Sequence, residues 1–218
     1  MSGAESRIVR YLCEERSQAS AAAAALLARR LREDLATGSR AGLVVSGGST
    51  PADCLNRLAK ETLSWDRVDV CLTDERCVPV DSDLSNARMV RAQLLEAGAR
   101  EATLHSLTET GIAALPLPFS AVLVGMGTDG HFASIFPDMP DLGAALDVVG
   151  AQSLMTVRTA ASPVTRVTMT LALLLNAQQI VLLAFGEEKR RILAQPGALP
   201  VATLLAQTIT PITVVWAP

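Results

Sequence analysis

Aromatic residues are scarce in this chain: Phe, Trp and Tyr together make up 3% of its 218 residues. So few rings cannot form a platform on which nucleic-acid bases stack, and a net charge of -3 gives no basic excess for a phosphate backbone. We therefore expect no nucleic-acid partner. Apolar runs are also short, well below the roughly 20 residues that a membrane-spanning helix needs, so we expect no membrane association.

Histidine and cysteine are few as well. The chain has two histidines, His105 and His131, and four cysteines that form no Cys-x-x-Cys pair. This leaves little material for a zinc site or a disulfide framework, and we expect no metal. His105 lies outside any motif and is expected to be a surface or packing residue. The N-terminus lacks the basic and apolar segments of a secretory signal, which favours a cytoplasmic protein.

Apolar residues, by contrast, make up half of the composition. This excludes intrinsic disorder, and the length favours a single domain, residues 1–218, with one core. From Gly42 onward, short and continuously apolar runs alternate with helix-length segments, as in a mostly parallel sheet buried on both faces. We therefore predict an α/β fold with three αβα layers and a doubly wound sheet. The predicted strands are 43–45, 68–72, 121–124, 154–157, 180–185 and 212–216.

The first candidate site follows the first of these strands, because ligands of doubly wound sheets lie at the carboxyl ends of the strands. The loop 46–51 is rich in glycine and leads into a predicted helix at 52–60, with Thr50 as its cap and Pro51 in its first position. Exposed N–H groups at a helix start favour an anion, although the loop could also be an ordinary strand-to-helix turn. No Gly-Lys-Ser/Thr follows, so this is not a Walker A loop. The candidate phosphate-binding residues are Gly47, Gly48, Ser49 and Thr50.

Charged residues follow two other predicted strands. Asp74, Glu75 and Arg76 come after 68–72, where a carboxylate and a guanidinium could hold a sugar hydroxyl and an anion. Alternatively, Arg76 neutralises Glu75 in a structural ion pair. Lys189 lies in the first turn of the helix predicted after 180–185, where acidic residues are favoured and a cation is misplaced unless it reaches an anion; the alternative is a solvated helix face.

The loop 125–131 carries the most concentrated chemistry in the chain. Three glycines surround Asp129 and His131, which supply a hydrogen-bond acceptor and an imidazole. This pair suits general-base catalysis. The glycines also have the G-x-G-x-x-G spacing of dinucleotide-binding loops, but that spacing alone is a weak indication.

Taken in order, these segments resemble the 6-phosphogluconolactonase family, part of a superfamily that also contains the glucosamine-6-phosphate deaminases. The resemblance extends over nearly the whole chain and is carried by residues 46–51, 73–76, 78–79, 83–88, 125–137, 166–171 and 186–189. It implies a deaminase/lactonase-like domain that hydrolyses a phosphorylated sugar lactone, 6-phosphogluconolactone, to 6-phosphogluconate in the oxidative pentose phosphate pathway. It implies no metal and no cofactor.

The resemblance also implies roles for individual residues. His131 is the general base that activates water, and Asp129 orients it. Arg76 and Lys189 bind the phosphate together with the loop 47–50, and Asp74 lines the pocket.

Two other functions stay open as alternatives. The first is an isomerase or deaminase on the same fold, but the position of the deaminases' ring-opening glutamate, five residues after the motif histidine, holds Phe136 here. The second is a non-catalytic sugar-phosphate sensor, which would not need Asp129 and His131.

The sequence departs from the family pattern in two places. Phe132 replaces the threonine usual after the motif histidine, and the loop 160–164 lacks the lysine and prolines common there. The first change concerns local packing and the second a secondary phosphate contact. Arg158 and Arg166, which flank that loop, could each add positive charge to the same edge of the sheet.

Overall fold

A computed structural model describes residues 8–160 and 162–218 of the chain. The strands within these ranges are β1 Ile8–Leu12, β2 Ala41–Val45, β3 Val68–Leu72, β4 Asp74–Arg76, β5 Thr103–Leu104, β6 Ala121–Val124, β7 Leu154–Thr159, β8 Ser162–Met169, β9 Ile180–Phe185 and β10 Ile212–Ala217. The α-helices are α1 Arg16–Thr37, α2 Ser49–Leu58, α3 Asn86–Val90, α4 Glu109–Ala113, α5 Leu142–Ala145, α6 Leu171–Leu175, α7 Glu187–Ala194 and α8 Pro200–Ala206.

Seven strands form a parallel central sheet in the order β1-β10-β9-β6-β2-β3-β5. The chain moves outward from β2 through β3 to β5, then returns to β6 on the other side of β2 and continues outward through β9 and β10. The sheet is therefore doubly wound, and its direction of winding reverses between β2 and β6. The predicted doubly wound α/β fold is confirmed.

Helices cover both faces of this sheet. In β6, Val122 and Val124 belong to the core on one face, whereas Ala121 and Leu123 belong to the core on the other. The first core includes residues of α6 and α8, and the second includes residues of α1 and α2. Because both faces are buried, both sets of alternating side chains are apolar, and this is why the central strands appear as continuous apolar runs.

Three antiparallel strands form a second, separate sheet in the order β4-β8-β7. The prediction of a buried parallel strand at 154–157 was therefore wrong. In β7, Met155 and Val157 are buried whereas Thr156 and Arg158 are exposed, as expected for a strand with one face toward solvent. The predicted loop 160–164 is partly strand β8, and its residue Ala161 lies outside the described residues.

Phe132 and His105 both have mostly buried side chains. Phe132 is fully buried in the core, so the residue that departs from the family pattern fills space there. The His105 side chain is 18% exposed, and its Nε2 lies 2.8 Å from Asp69 Oδ1, which agrees with a packing residue. Burial alone would raise the pKa of Asp69, but hydrogen bonds from Arg40 and His105 lower it.

From the sequence we expected no membrane association and no secretory signal. In the part of the chain that the structure describes, no helix has both the length and the hydrophobicity to cross a membrane. Residues 1–7, on which the expectation of no secretory signal partly rests, lie outside the described residues.

Candidate active site

A cleft of about 350 Å³ lies where the winding of the sheet reverses, at the carboxyl ends of β2 and β6. The loops that follow these two strands form much of its wall, as expected for a doubly wound sheet. Asp129 contacts His131 beside the cleft, and Lys189 is not among the residues that line it. The predicted site residues that line the cleft are Gly47, Gly48, Ser49, Thr50, Asp74, Arg76 and His131.

The loop after β2 presents the start of a helix to the cleft. Gly48 precedes the first turn of α2, which begins at Ser49, so the prediction that Thr50 caps this helix was wrong. Within the described residues, no side chain caps α2 and no acidic residue lies in its first turn. The first N–H groups of the helix are therefore available to an anionic ligand, and the helix dipole favours one there.

The loop after β6 brings His131 and Asp129 together. His131 Nδ1 lies 2.6 Å from Asp129 Oδ1, and the same oxygen accepts a hydrogen bond from the His131 backbone N–H at 3.2 Å. A carboxylate at Nδ1 favours the tautomer with the proton on that nitrogen, which leaves Nε2 as a proton acceptor. The side chain of His131 is 28% exposed, so a water molecule or a ligand can reach it.

Two neighbours fix this pair. A side chain on Gly127 would overlap both His131 Nδ1 and Asp129 Oδ1, so only glycine fits at this position. On another side, the Phe136 ring contacts the imidazole, with 4.4 Å between the ring centroids. The orientation of His131 is therefore set by packing as well as by its hydrogen bond.

Asp74 is the anionic group of the cleft, and its side chain is only 6% exposed. Its carboxylate accepts hydrogen bonds from Thr73 Oγ1 at 3.0 Å and Ser134 Oγ at 2.6 Å, and Arg166 Nη1 lies 3.5 Å away. Arg166 also lies over the Phe136 ring, 5.4 Å from its centroid. Burial lowers the pKa of Arg166, and the neighbouring Asp74 opposes that shift.

Arg76 also lines the cleft and is held by two side-chain hydrogen bonds. Its Nη1 donates to the Leu84 carbonyl at 2.9 Å and to Asn86 Oδ1 at 2.8 Å. The Glu75 carboxylate is occupied elsewhere: it accepts from the backbone N–H groups of Asn86 at 2.8 Å and Ala87 at 2.7 Å. The alternative in which Arg76 and Glu75 form a structural ion pair is therefore wrong.

Lys189 and Arg158 do not line the cleft. Lys189 is half-buried in α7, and burial lowers the pKa of its ammonium group, as does the neighbouring charge of Arg16; Glu188 opposes the shift. Arg158 is exposed on β7. Of the two arginines that flank the 160–164 loop, only Arg166 lines the cleft.

Two residues of the site, Asn86 and Ser134, were not assigned a role from the sequence, and Arg166 was noted only as a source of positive charge at this edge of the sheet. Each lies inside one of the segments that carry the family resemblance, and for Asn86 and Ser134 this position was the only available signal. Their contacts join segments far apart in the chain, such as Ser134 to Asp74 over 60 positions, and no local pattern shows such contacts.

Comparison with known proteins identifies the family of the chain. The sequence profile of the family described as glucosamine-6-phosphate isomerases/6-phosphogluconolactonase matches residues 14–216. A 6-phosphogluconolactonase of Caulobacter vibrioides is 38% identical over 90% of this chain and 91% of that protein. A 6-phosphogluconolactonase of Mesorhizobium japonicum is 36% identical over 94% of this chain and 93% of that protein.

The fold is shared with a protein of known structure. The crystal structure of a 6-phosphogluconolactonase from Shewanella baltica superimposes with a TM-score of 0.91 at 32% identity, covering 97% of this chain and 98% of that one. With the profile match and these relatives, the chain belongs to the glucosamine-6-phosphate isomerase and 6-phosphogluconolactonase family.

Proposed function

We propose that this chain hydrolyses 6-phosphogluconolactone to 6-phosphogluconate with His131 as the general base. Lactone hydrolysis is the activity that the names of its relatives carry. The observation that supports the base is the Asp129–His131 pair at 2.6 Å, in the cleft where the winding of the sheet reverses. Because a δ-lactone is already an activated ester, one histidine that acts first as base and then as acid can serve both proton transfers of its hydrolysis.

The reaction then needs two proton transfers at one nitrogen. His131 Nε2 takes a proton from water while the water oxygen bonds to the lactone carbonyl carbon. The bond between that carbon and the ring oxygen breaks next, and the proton on Nε2 passes to the ring oxygen. Asp129 stabilises the imidazolium between these steps and keeps the ring in the required tautomer.

The cationic side of the cleft is proposed to bind the substrate phosphate. Arg76 and the N–H groups at the start of α2 face the same space, and both suit a phosphate dianion. Lys189 is proposed to add charge from α7. Asp74, held by three donors, is proposed to accept hydrogen bonds from the hydroxyl groups of the sugar.

The alternatives fit the site less well. Phe136, at the position of the deaminases' glutamate, presents an aromatic ring to His131, so this position offers no carboxylate for ring opening. A sensor would have no need of the Asp129–His131 pair. A single domain over residues 1–218 and a cytoplasmic location remain predictions from the sequence.

The function is tested with freshly generated 6-phosphogluconolactone, by following acid release in buffer with EDTA. We expect the protein to accelerate acid release far above the spontaneous rate, and we expect EDTA to make no difference. Among the described residues, no group of three His, Cys, Asp or Glu side chains is arranged to hold a metal ion. Acid release at the spontaneous rate would reject the lactonase, and activity that returns only with added metal would reject the metal-free mechanism.

Replacing Gly127 with Ala should lower kcat at least tenfold, because the added methyl group overlaps both members of the Asp129–His131 pair. A misplaced base loses much of the roughly 10²- to 10⁴-fold that general-base catalysis contributes. Gly143→Ala is the matched control, since a Cβ there meets no atom within 4 Å. Equal activity of the two variants would show that the position of the pair is not critical.

A further inference from the structure

Asn86 connects three parts of the cleft through one side chain. It is the first residue of α3 and only 3% exposed. Its Oδ1 accepts from Arg76 Nη1 at 2.8 Å, and its Nδ2 donates to the Asp74 carbonyl at 2.8 Å. It also packs against Gly47 so closely that a side chain on Gly47 would overlap it.

Asn86 is itself held in place before any ligand arrives. The Glu75 carboxylate accepts hydrogen bonds from the backbone N–H groups of Asn86 and Ala87 and from Ser85 Oγ, the last at 3.1 Å. Ser85 Oγ in turn caps α3 by accepting from the Arg88 N–H at 3.2 Å. The start of α3 is thus fastened to β4, and the amide of Asn86 has a fixed position.

Both side-chain hydrogen bonds of Arg76, to the Leu84 carbonyl and to Asn86 Oδ1, use Nη1. Across residues 8–160 and 162–218, no acceptor binds Arg76 Nε or Nη2. These two nitrogens form the side-on edge with which arginine binds two oxygens of one phosphate.

We infer that Asn86 is a positioning residue for substrate selection: it holds Nη1 of Arg76 so that the Nε and Nη2 edge faces the substrate phosphate. The inference rests on the proposed function, in which Arg76 binds that phosphate. Asn86 therefore contributes to the preference for phosphorylated over unphosphorylated sugar lactones.

The test compares kcat/KM for 6-phosphogluconolactone and for δ-gluconolactone. In Asn86→Ala, we expect the preference for the phosphorylated lactone to fall about tenfold or more, the usual effect of losing a hydrogen bond to a charged group. Activity on δ-gluconolactone should fall by a smaller factor, because that substrate has no phosphate for Arg76 to bind. Ser85→Ala is the matched control: it also weakens the start of α3 but leaves the Arg76 contact in place, and it should keep the preference.

A double-variant cycle decides whether Asn86 acts through Arg76. If it does, Arg76→Ala with Asn86→Ala should lose no more preference than Arg76→Ala alone. If the losses of preference in the two single variants multiply in the double variant, the inference is overturned. Equal losses of activity on both lactones in Asn86→Ala would also overturn it, because they would indicate a merely structural role. If Asn86→Ala does not fold, Asn86→Ser is used, with inhibition by 6-phosphogluconate against gluconate as a second measure of phosphate binding.

Failure of the proposed function would give a different result. A wild-type protein that shows no preference for the phosphorylated lactone would reject the phosphate site itself. An intact preference in wild type and in Asn86→Ala would reject only the role of Asn86.

Discussion

His131→Ala should remove nearly all lactonase activity while the fold stays intact. General-base catalysis contributes about 10²- to 10⁴-fold, and the variant has no other group at the position of Nε2 to accept the proton from water. His131→Asn should be about as damaging, because its amide restores hydrogen bonding but cannot take a proton. The measurement is acid release from fresh lactone, corrected for the spontaneous rate, with thermal unfolding to check the fold.

The other histidine provides the matched control for this experiment. His105 lies away from the cleft, bonded to Asp69, so His105→Gln removes an imidazole without touching the site. We expect this variant to keep wild-type kcat. Near-normal turnover in His131→Ala would refute the mechanism, since it would place the base elsewhere.

The central sheet could be predicted because burial on both faces leaves a strong signal in the sequence. The strands at 68–72, 121–124 and 180–185 were predicted with the bounds that the structure shows. The second sheet was missed because its strands are short or half-exposed. In β7, the alternation of Met155, Thr156 and Val157 carried the signal of a one-sided strand, but its apolar members resembled another buried run.

The site was partly predictable for a related reason. In a parallel sheet, the loops after neighbouring strands meet at one edge, so loop 46–51 and loop 125–131 could be placed together from their positions after predicted strands. The cap of α2 was predicted wrongly because a Thr-Pro pair is a favourable helix start, yet the chain begins the helix two residues earlier, after Gly48.

The parts that the sequence could not predict are contacts between distant segments. The approach of Arg166 to Asp74 joins positions 92 residues apart, and it depends on the pairing of β4 with β8. Neither strand was predicted as a strand. The hydrogen bond between Asn86 and Arg76 depends in the same way on the hydrogen bonds that hold the start of α3 to the Glu75 carboxylate. Those hydrogen bonds are visible only in the folded chain.

Removing the cations proposed to bind the phosphate should have the second large effect. Arg76→Ala and Lys189→Ala should each raise KM for 6-phosphogluconolactone about ten- to a hundredfold, because each removes a charge-assisted hydrogen bond to phosphate. Arg76→Lys should restore only part of the loss, because lysine lacks the planar fork and cannot use the contacts that hold Nη1. Some loss in kcat is also expected if phosphate binding orients the lactone against His131.

The comparison of two substrates isolates the phosphate from the rest of the site. Wild type should prefer 6-phosphogluconolactone over δ-gluconolactone by orders of magnitude, and the double variant Arg76→Ala with Lys189→Ala should lose most of that preference.

Lys189 makes this a stringent test, because it does not line the cleft and its ammonium group is half-buried, with a lowered pKa. A half-buried cation near Arg16 is stabilised when an anion arrives, so the charge of Lys189 is expected to favour phosphate binding from its position in α7. Arg190→Ala, which removes an exposed cation of the same helix that lies over Trp216, is the matched control and should keep the preference. If the double variant keeps the full preference, the phosphate lies elsewhere in the cleft.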